Sequence, residues 1–332
     1  MCAPASVPKI LLLGKNGQVG WELQRALAPL GTVIALDRHS SEHRGDLSDL
    51  AALRTTIARL APHVIVNAAA YTAVDKAEAE AALADGINHQ AVAVMAEEAA
   101  KLGALLVHYS TDYVFNGSGS TPWVETDAPA PLSVYGITKL AGEQAIIASG
   151  CAHLIFRTSW VYAARGANFA KTMLCLAVER EQLNVINDQI GAPTGAELIA
   201  DISAHALRAT LNNAHLAGVY HLAALGETSW HGYAEFVIAA ARGQGIALKT
   251  TLINPIPTHQ YPTPAARPHN SRLNTAKLHA AFGLTLPHWQ AGVAPHETPS
   301  NPTQRHYPRR WQWHPLAPRD LGGEQAAHAR IR

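Results

Sequence analysis

The sequence is poor in cysteine, in net charge and in long apolar runs, and each shortage excludes something. Three cysteines among 332 residues, Cys2, Cys151 and Cys175, cannot all pair and have no metal-like spacing. That excludes a disulfide framework and a cysteine-ligated metal site, and the expected compartment is the reducing cytoplasm. The 26 basic residues barely outnumber the 25 acidic ones, so a net charge of +1 offers no footprint for nucleic acid or an anionic membrane. No stretch approaches the roughly 20 apolar residues that a membrane span needs. The run Ile10-Leu11-Leu12-Leu13 stops at Gly14 and follows no basic n-region, so it reads as a buried strand and not as a signal peptide. The 18 histidines, His39 and His43 among them, show no ligand spacing and read as surface or structural residues.

What is present is a large apolar share, 48% of the chain, enough to bury a substantial core in one large or two modest domains. The first half alternates short apolar runs at 9–13, 32–36, 64–67, 105–110 and 153–157 with amphipathic stretches at 20–30, 49–60, 89–102 and 135–149. Strands that are apolar throughout and separated by helices are covered on both faces, which predicts an α/β fold with a doubly wound parallel sheet of the Rossmann type. Beyond Trp160 the pattern is irregular, with helical stretches at 169–180, 197–211 and 233–242 and loops rich in Pro, Gly and Asn, notably 254–270. The expected division is a nucleotide-binding domain over 8–165, with about 190–225 returning to it, and a smaller substrate lobe over 166–293. Residues 294–332 hold six of the 20 prolines and few large apolar residues. Such composition cannot offset its own ordering entropy, so an atypical, disordered tail is expected there.

Gly14-Lys15-Asn16-Gly17-Gln18-Val19-Gly20 follows the first strand and opens a helix. Glycines there allow a tight turn and let backbone amides approach a pyrophosphate at a helix N-terminus, where the dipole favours anions. The spacing is G-x-x-G-x-x-G, not the commoner G-x-G-x-x-G, and by itself it is as consistent with a plain tight turn. Asp37 ends the second strand, where an acid would accept hydrogen bonds from an adenosine ribose; otherwise it is a turn acid. Arg38 and Lys15 could neutralise a 2′-phosphate, so NADPH and NADH both remain open. Gly45-Asp46-Leu47, after what reads as a further strand, is either an adenine contact or a helix cap.

A second constellation stands downstream. Thr111 lies at the end of the strand at 105–110, and Tyr135-Gly136-Ile137-Thr138-Lys139 begins a helix. Tyr135 and Lys139 are four apart and share a helical face. A free phenol, with pKa near 10, is a sluggish acid at neutral pH, and an adjacent ammonium is expected to lower it. Tyr135 then reads as a proton donor, Lys139 as its partner and as a holder of the nicotinamide ribose, and Thr111 as the hydroxyl that orients a carbonyl. The bland reading of Tyr135 and Lys139 alone is a surface helix pair.

With these motifs in place, residues 9–293 resemble the dTDP-4-dehydrorhamnose reductases, a branch of the extended short-chain dehydrogenases. The matching stretches are 14–30, 65–78, 108–115, 134–143, 156–162, 185–198 and 261–273. The most distinctive are His-Tyr-Ser-Thr-Asp-Tyr-Val-Phe at 108–115 and Arg-Pro-His-Asn-Ser-Arg-Leu at 267–273. The resemblance implies that Gly17, Gln18 and Val19 meet the cofactor pyrophosphate and that Asp37, Asp46 and Leu47 lie near the adenosine. It implies that Ala70, Tyr71 and Thr72 line the cofactor along the fourth strand. Thr111 and Asp112 would touch the sugar, Val74, Tyr113 and Trp160 would shape its pocket, and Asn168 and Arg272 would reach the nucleotide or its diphosphate, arginine being suited to bidentate phosphate recognition. The implied reaction is hydride transfer from NADPH or NADH to the C4 carbonyl of dTDP-4-dehydro-β-L-rhamnose, the last step toward a precursor of cell-surface polysaccharide such as lipopolysaccharide.

The resemblance also implies Mg2+ held by glutamates at a homodimer interface, and Glu22 and Glu197 match two of those positions. The third is Pro299, and Pro295 and Pro299 are incompatible with the interior of the usual terminal helix, so the metal site and that dimer are not expected in the usual form. Three other readings compete. A sugar dehydratase needs an acid pair beside the threonine, whereas Thr111 is followed by Asp112 and Tyr113. A sugar epimerase would share Tyr135 and Lys139 yet hold NAD tightly without net consumption. A non-catalytic subunit like the regulatory subunit of methionine adenosyltransferase would act by association; Thr111, Tyr135, Lys139 and Arg272 argue for catalysis.

Overall fold

The computed structural model describes residues 7–293, so the tail expected over 294–332 lies outside the described residues. Five strands stand where the apolar runs place them: β1 (Lys9–Leu13), β2 (Thr32–Leu36), β3 (Val64–Asn67), β4 (Leu105–Thr111) and β5 (His153–Thr158). Between them run α1 (Gln18–Leu27), α2 (Leu50–Leu60), the short α3 (Val74–Ala77) and α4 (Ala81–Asp85), α5 (Ala91–Leu102) and α6 (Val134–Ser149). Alternation along β1 explains the layering: Ile10 and Leu12 face a cluster with Leu23 and Leu27 of α1, while Leu11 and Leu13 face Leu53 and Ile57 of α2 and Met95 of α5. Each such fully buried aliphatic side chain contributes about 1.5–3 kcal/mol, which is why the strands read as unbroken apolar runs.

The second half begins with β6 (Val161–Tyr162), α7 (Phe169–Glu179), β7 (Gln182–Ile186), β8 (Ile190–Gly191) and β9 (Thr194–Gly195). It continues through α8 (Ala196–Asn212), β10 (Gly218–His221), β11 (Thr228–Ser229), α9 (Trp230–Gly243), β12 (Leu252–Ile256), α10 (Ala276–Phe282) and α11 (Trp289–Val293). The chain re-enters the main sheet through β10, a strand too short to be foreseen, and α8 adds Ile199 and Leu207 to the α1 face. The six-stranded sheet has the order β10-β5-β4-β3-β1-β2, with every neighbouring pair parallel. Its order reverses between β1 and β3, and the crevice outside the carboxyl ends at such a point is where open α/β sheets bind ligands.

A third apolar cluster gathers Phe169, Met173, Leu183, Val185, Trp230, Tyr233, Val237 and Trp289 beneath α7, α9 and α11. Three details differ from the sequence reading. Residues 38–49 form no strand, so β3 is the third strand and not the fourth. Part of the expected loop at 254–270 belongs to β12, which pairs in parallel with β7; a two-stranded ladder has open edges that tolerate Pro255. The helix expected from 89 is preceded by a π turn, Gly86–Gln90, which carries Asn88 inward to 1% exposure.

Candidate active site

The glycine loop sits at the reversal of the sheet. Gly14 has φ +87, a region that favours glycine, and a Cβ there would meet the backbone of Ala68 and Ala69 at under 3 Å. Gly20 is required by close approach, since a Cβ would lie 2.0 Å from the Gly14 carbonyl oxygen. Gly17 is the uncapped N-terminus of α1, and Gln18 and Val19 begin the helix. A Cβ on Gly17 would stand in the gap between the two loops, 3.4 Å from the Gly14 oxygen and 3.8 Å from the Ala68 oxygen. Free helix N–H groups beside a gap kept open by glycine fit a pyrophosphate.

Asp37 lies beyond this loop and is tied into it. Its carboxylate accepts from Asn16, from Ser40 Oγ at 3.0 Å and from the His39 amide at 3.0 Å, with Lys15 Nζ 3.9 Å away. Burial alone would raise its pKa; the Ser40 and His39 hydrogen bonds and the Lys15 charge outweigh that and hold it below its ordinary value. An acid already surrounded by donors leaves room for either cofactor. Asp46 does not cap α2. Its Oδ1 takes the Ser48 amide at 2.9 Å, and Asp49 caps the helix through the Ala52 amide at 3.0 Å, with Leu47 buried between them. Ala70, Tyr71 and Thr72 leave the end of β3. Asn88 clamps this loop by accepting the Tyr71 amide at 2.8 Å and donating to the Tyr71 carbonyl at 3.0 Å and to Thr138 at 3.2 Å, which joins it to α6. The Tyr71 hydroxyl donates to Glu80 at 2.6 Å.

Ser133 caps α6 by accepting the Gly136 amide at 3.2 Å, and the helix carries Tyr135 to the end of β4. There the Tyr135 phenol comes close enough to Thr111 for that hydroxyl to act on its pKa, and its ring meets Tyr113 edge-on with centroids 5.5 Å apart. Thr111 Oγ1 donates to Asp112 Oδ1 at 3.0 Å and accepts the Tyr113 amide at 3.2 Å. Burial raises Asp112 to about 6, against hydrogen bonds from Ser271 and Thr111, and its Oδ2 has no partner. Burial likewise pushes Tyr135 up to about 12; the Thr111 bond opposes that shift and the Asp112 charge adds to it.

The lysine does not do what its spacing suggests. Lys139 is buried, and Nζ donates to the Tyr109 carbonyl at 2.5 Å and lies 3.2 Å from His108 Nε2. Burial lowers it to about 8, although Glu143 favours its charge. The expectation that it depresses the Tyr135 pKa is therefore corrected: the two residues share a helix face, but the ammonium is drawn to the sheet and burial dominates the phenol. Glu143 is in turn held by Ser110 and by Arg157, whose Nη2 donates at 2.6 Å.

Val74 opens α3 close to a buried ion pair in which Arg267 grips Asp75 at 2.8 and 3.1 Å. Arg267 and Ser271, which touches Asp112, come from the distinctive stretch at 267–273, yet neither was singled out by the sequence reading. Trp160 adopts φ +49 and stacks on Trp230 with centroids 3.6 Å apart, over a glycine, Gly191, whose Cβ would lie 2.8 Å from the indole. Arg272 does not present an empty guanidinium: Nε donates to Glu227 at 2.5 Å and Nη1 to Asn270 at 3.2 Å. Asn168 is buried, caps α7 through the Lys171 amide at 3.2 Å and donates to Ala163 and to Gln18, so the structure brings it to the glycine-loop helix. Glu22 and Glu197 both act on Arg25, which also donates to Asp201 at 2.7 Å. A guanidinium among the carboxylates does not suit a cation, and among the described residues no group of three or more His, Cys, Asp or Glu could hold a metal. A cavity of about 90 Å³ beside α11, lined by Tyr162, Glu197 and Trp289, includes none of the Tyr135 cluster.

A family model described as the RmlD substrate binding domain matches residues 8–297. The dTDP-4-dehydrorhamnose reductase of Shigella flexneri is 61% identical over 284 residues, covering 86% of this chain and 95% of that protein. The chain belongs to the dTDP-4-dehydrorhamnose reductase family. The reductase of Burkholderia thailandensis is 49% identical over 291 residues, covering 86% of this chain and 96% of that protein. Among solved structures, the Bacillus anthracis dTDP-4-dehydrorhamnose reductase in complex with NADP superimposes with a TM-score of 0.78 at 33% identity, covering 86% of this chain and 97% of that one. The NAD complex of Thermus thermophilus UDP-glucose 4-epimerase, at 20% identity and TM-score 0.69, shares the fold. Family membership fits the parallel sheet and its glycine loop. Among the described residues no helix is long and apolar enough to cross a membrane.

Proposed function

We propose that Tyr135, Lys139 and Thr111 carry the reaction of this reductase, the NAD(P)H-dependent reduction of the 4-keto group of dTDP-4-dehydro-β-L-rhamnose to dTDP-β-L-rhamnose. The observation that carries the reading is the buried Tyr135 phenol set against Thr111 at the carboxyl end of β4, on the sheet whose order reverses at the glycine loop. Bound NADPH or NADH supplies a hydride to the C4 carbon. Thr111 orients the carbonyl oxygen, and Tyr135 delivers the proton that the oxygen needs as it becomes an alkoxide. A phenol pushed up to about 12 stays protonated throughout the neutral range, and an alkoxide is basic enough to take its proton. In this reading Lys139, charged below about 8, holds the nicotinamide ribose through its ammonium. Gly14, Gly17, Gln18, Val19 and Gly20 cradle the pyrophosphate, with Asp37, Asp46 and Leu47 on the adenosine side and Ala70, Tyr71 and Thr72 along the cofactor.

On the sugar side, Asp112 and Tyr113 flank Tyr135, and Val74 and Trp160 close the pocket. Arg272 meets the diphosphate by exchanging Glu227 for it, and Asn168 contributes near Gln18. The dTDP-sugar is the partner in this reading, and the cytoplasm, with its reduced nicotinamide pool, is the compartment. Tyr135→Phe tests it. Turnover should fall about a hundred- to ten-thousandfold with NADPH affinity retained, because only the proton donor is removed. Residual turnover within about threefold of the parent would remove Tyr135 as the acid.

A further inference from the structure

Asn67 and His108, at the ends of β3 and in β4, touch neither the expected sugar pocket nor the pyrophosphate gap, yet both are buried to 1% exposure under Lys139. Their hydrogen bonds have a forced direction. The Ala69 amide donates to Asn67 Oδ1 at 3.1 Å, which turns the amide nitrogen toward His108, with Nδ2 3.2 Å from Nδ1. An amide nitrogen only donates, so Nδ1 is the acceptor and carries no proton. Burial first, and the Lys139 charge second, hold His108 far below its ordinary pKa, so the ring is neutral and its single proton sits on Nε2. Nε2 lies 3.2 Å from Lys139 Nζ. An N–H at that point faces an ammonium as donor against donor, but faces a neutral amine as donor to lone pair.

The other groups around Lys139 pull the opposite way or are already engaged. On α6, Tyr135 lies one turn before it and Glu143 one turn after. From β4 the Tyr109 carbonyl accepts its proton at 2.5 Å, and from β5 Arg157 is locked on Glu143. Asp112 acts on Tyr135. Tyr109 and Glu143 favour the ammonium, and among the described residues the Asn67–His108 pair is the contact that favours the amine.

We propose that Asn67 and His108 are positioning residues that set the pH at which Lys139 loses its charge, and with it the alkaline limit of the reduction. The inference rests on Lys139 acting in the reaction as described above. The Ala69 amide selects the Asn67 rotamer, Asn67 selects the His108 tautomer, and that tautomer tunes Lys139 without touching substrate.

The test is the pH dependence of kcat at saturating NADPH and 4-keto sugar for the full chain. In His108→Gln the side-chain carbonyl can turn to the ammonium. In Asn67→Asp the carboxylate holds a proton on Nδ1 and turns a lone pair to Lys139. Both should move the alkaline limb up by about one pH unit, which loss of packing alone would not do. Lys139→Met is the control. If it retains turnover, the assignment of Lys139 falls and the inference with it. If it is inactive and the limbs of both other variants superimpose on the parent, the inference alone is overturned. The parent itself gives a readout independent of how variants fold: in a 15N-histidine spectrum the buried His108 should show the Nε2–H tautomer, and an Nδ1–H tautomer would refute the proposal.

Discussion

Replacing Lys139 by methionine should abolish turnover while removing a pH-dependent burden on the fold. Methionine has a similar length and no charge. The folded-state pKa of Lys139 is about 8, against an ordinary 10.5. Between those values the unfolded chain holds a proton that the folded chain lacks, so stability rises as pH climbs through that window. Below about 8 the lysine is charged in both states and the cost of burying it is fully present. A shift of that size corresponds to roughly 3 kcal/mol. Methionine leaves the Tyr109 carbonyl without its donor, which costs about 1–3 kcal/mol at any pH and can hide the gain in a single measurement. The difference between two pH values is free of that offset. Urea unfolding of parent and variant at pH 7.5 and pH 10.5 should show the parent gaining roughly 3 kcal/mol relative to the variant over that interval. Cofactor oxidation by the variant should be lost at both. Equal pH slopes in the two proteins would mean that Lys139 is not held below its ordinary pKa, and the electrostatic picture of the site would be wrong.

Gly20→Ala places a methyl 2.0 Å from the Gly14 oxygen, so the loop must shift; NADPH affinity, followed by fluorescence titration, should fall about tenfold or more, and an unchanged affinity would separate the glycine loop from cofactor binding. His221 is fully buried, and burial, aided by Arg157, lowers it from 6.5 to about 3. The unfolded chain therefore binds a proton first as pH falls below 6.5, and stability is lost from there toward 3. Between pH 7.5 and pH 5 this group accounts for roughly 2 kcal/mol, so His221→Phe should be that much less acid-sensitive in urea unfolding, and an unaltered acid sensitivity would place the linkage elsewhere.

Much of the sheet was legible because its strands are short apolar runs bounded by glycine or polar residues, a pattern with few alternative folds. Tyr135 and Lys139 were legible because four residues make one helical turn. β10 was not: four residues, Gly218–His221, become a strand only because β5 offers a free edge. The role of Asn88 was hidden because a π turn changes which residues face inward. Arg267 and Ser271 lie some 190 and 160 residues from Asp75 and Asp112 in the chain, so no local spacing joins them. The apparent strand after Asp37 failed because Asp37 and Asp46 turn the chain by bonding the amides of His39 and Ser48 two residues on.

The sequence by itself determined five of the six strands of the sheet, the glycine loop at its reversal and the residues proposed as reacting groups, since periodicity and residue type are local properties. Tertiary structure alone decided their protonation. Burial raises Tyr135, lowers Lys139 and neutralises His108, and the chain's path brings Glu227 onto Arg272. Those outcomes depend on which atoms surround a charge in three dimensions, and a one-dimensional spacing does not contain that information.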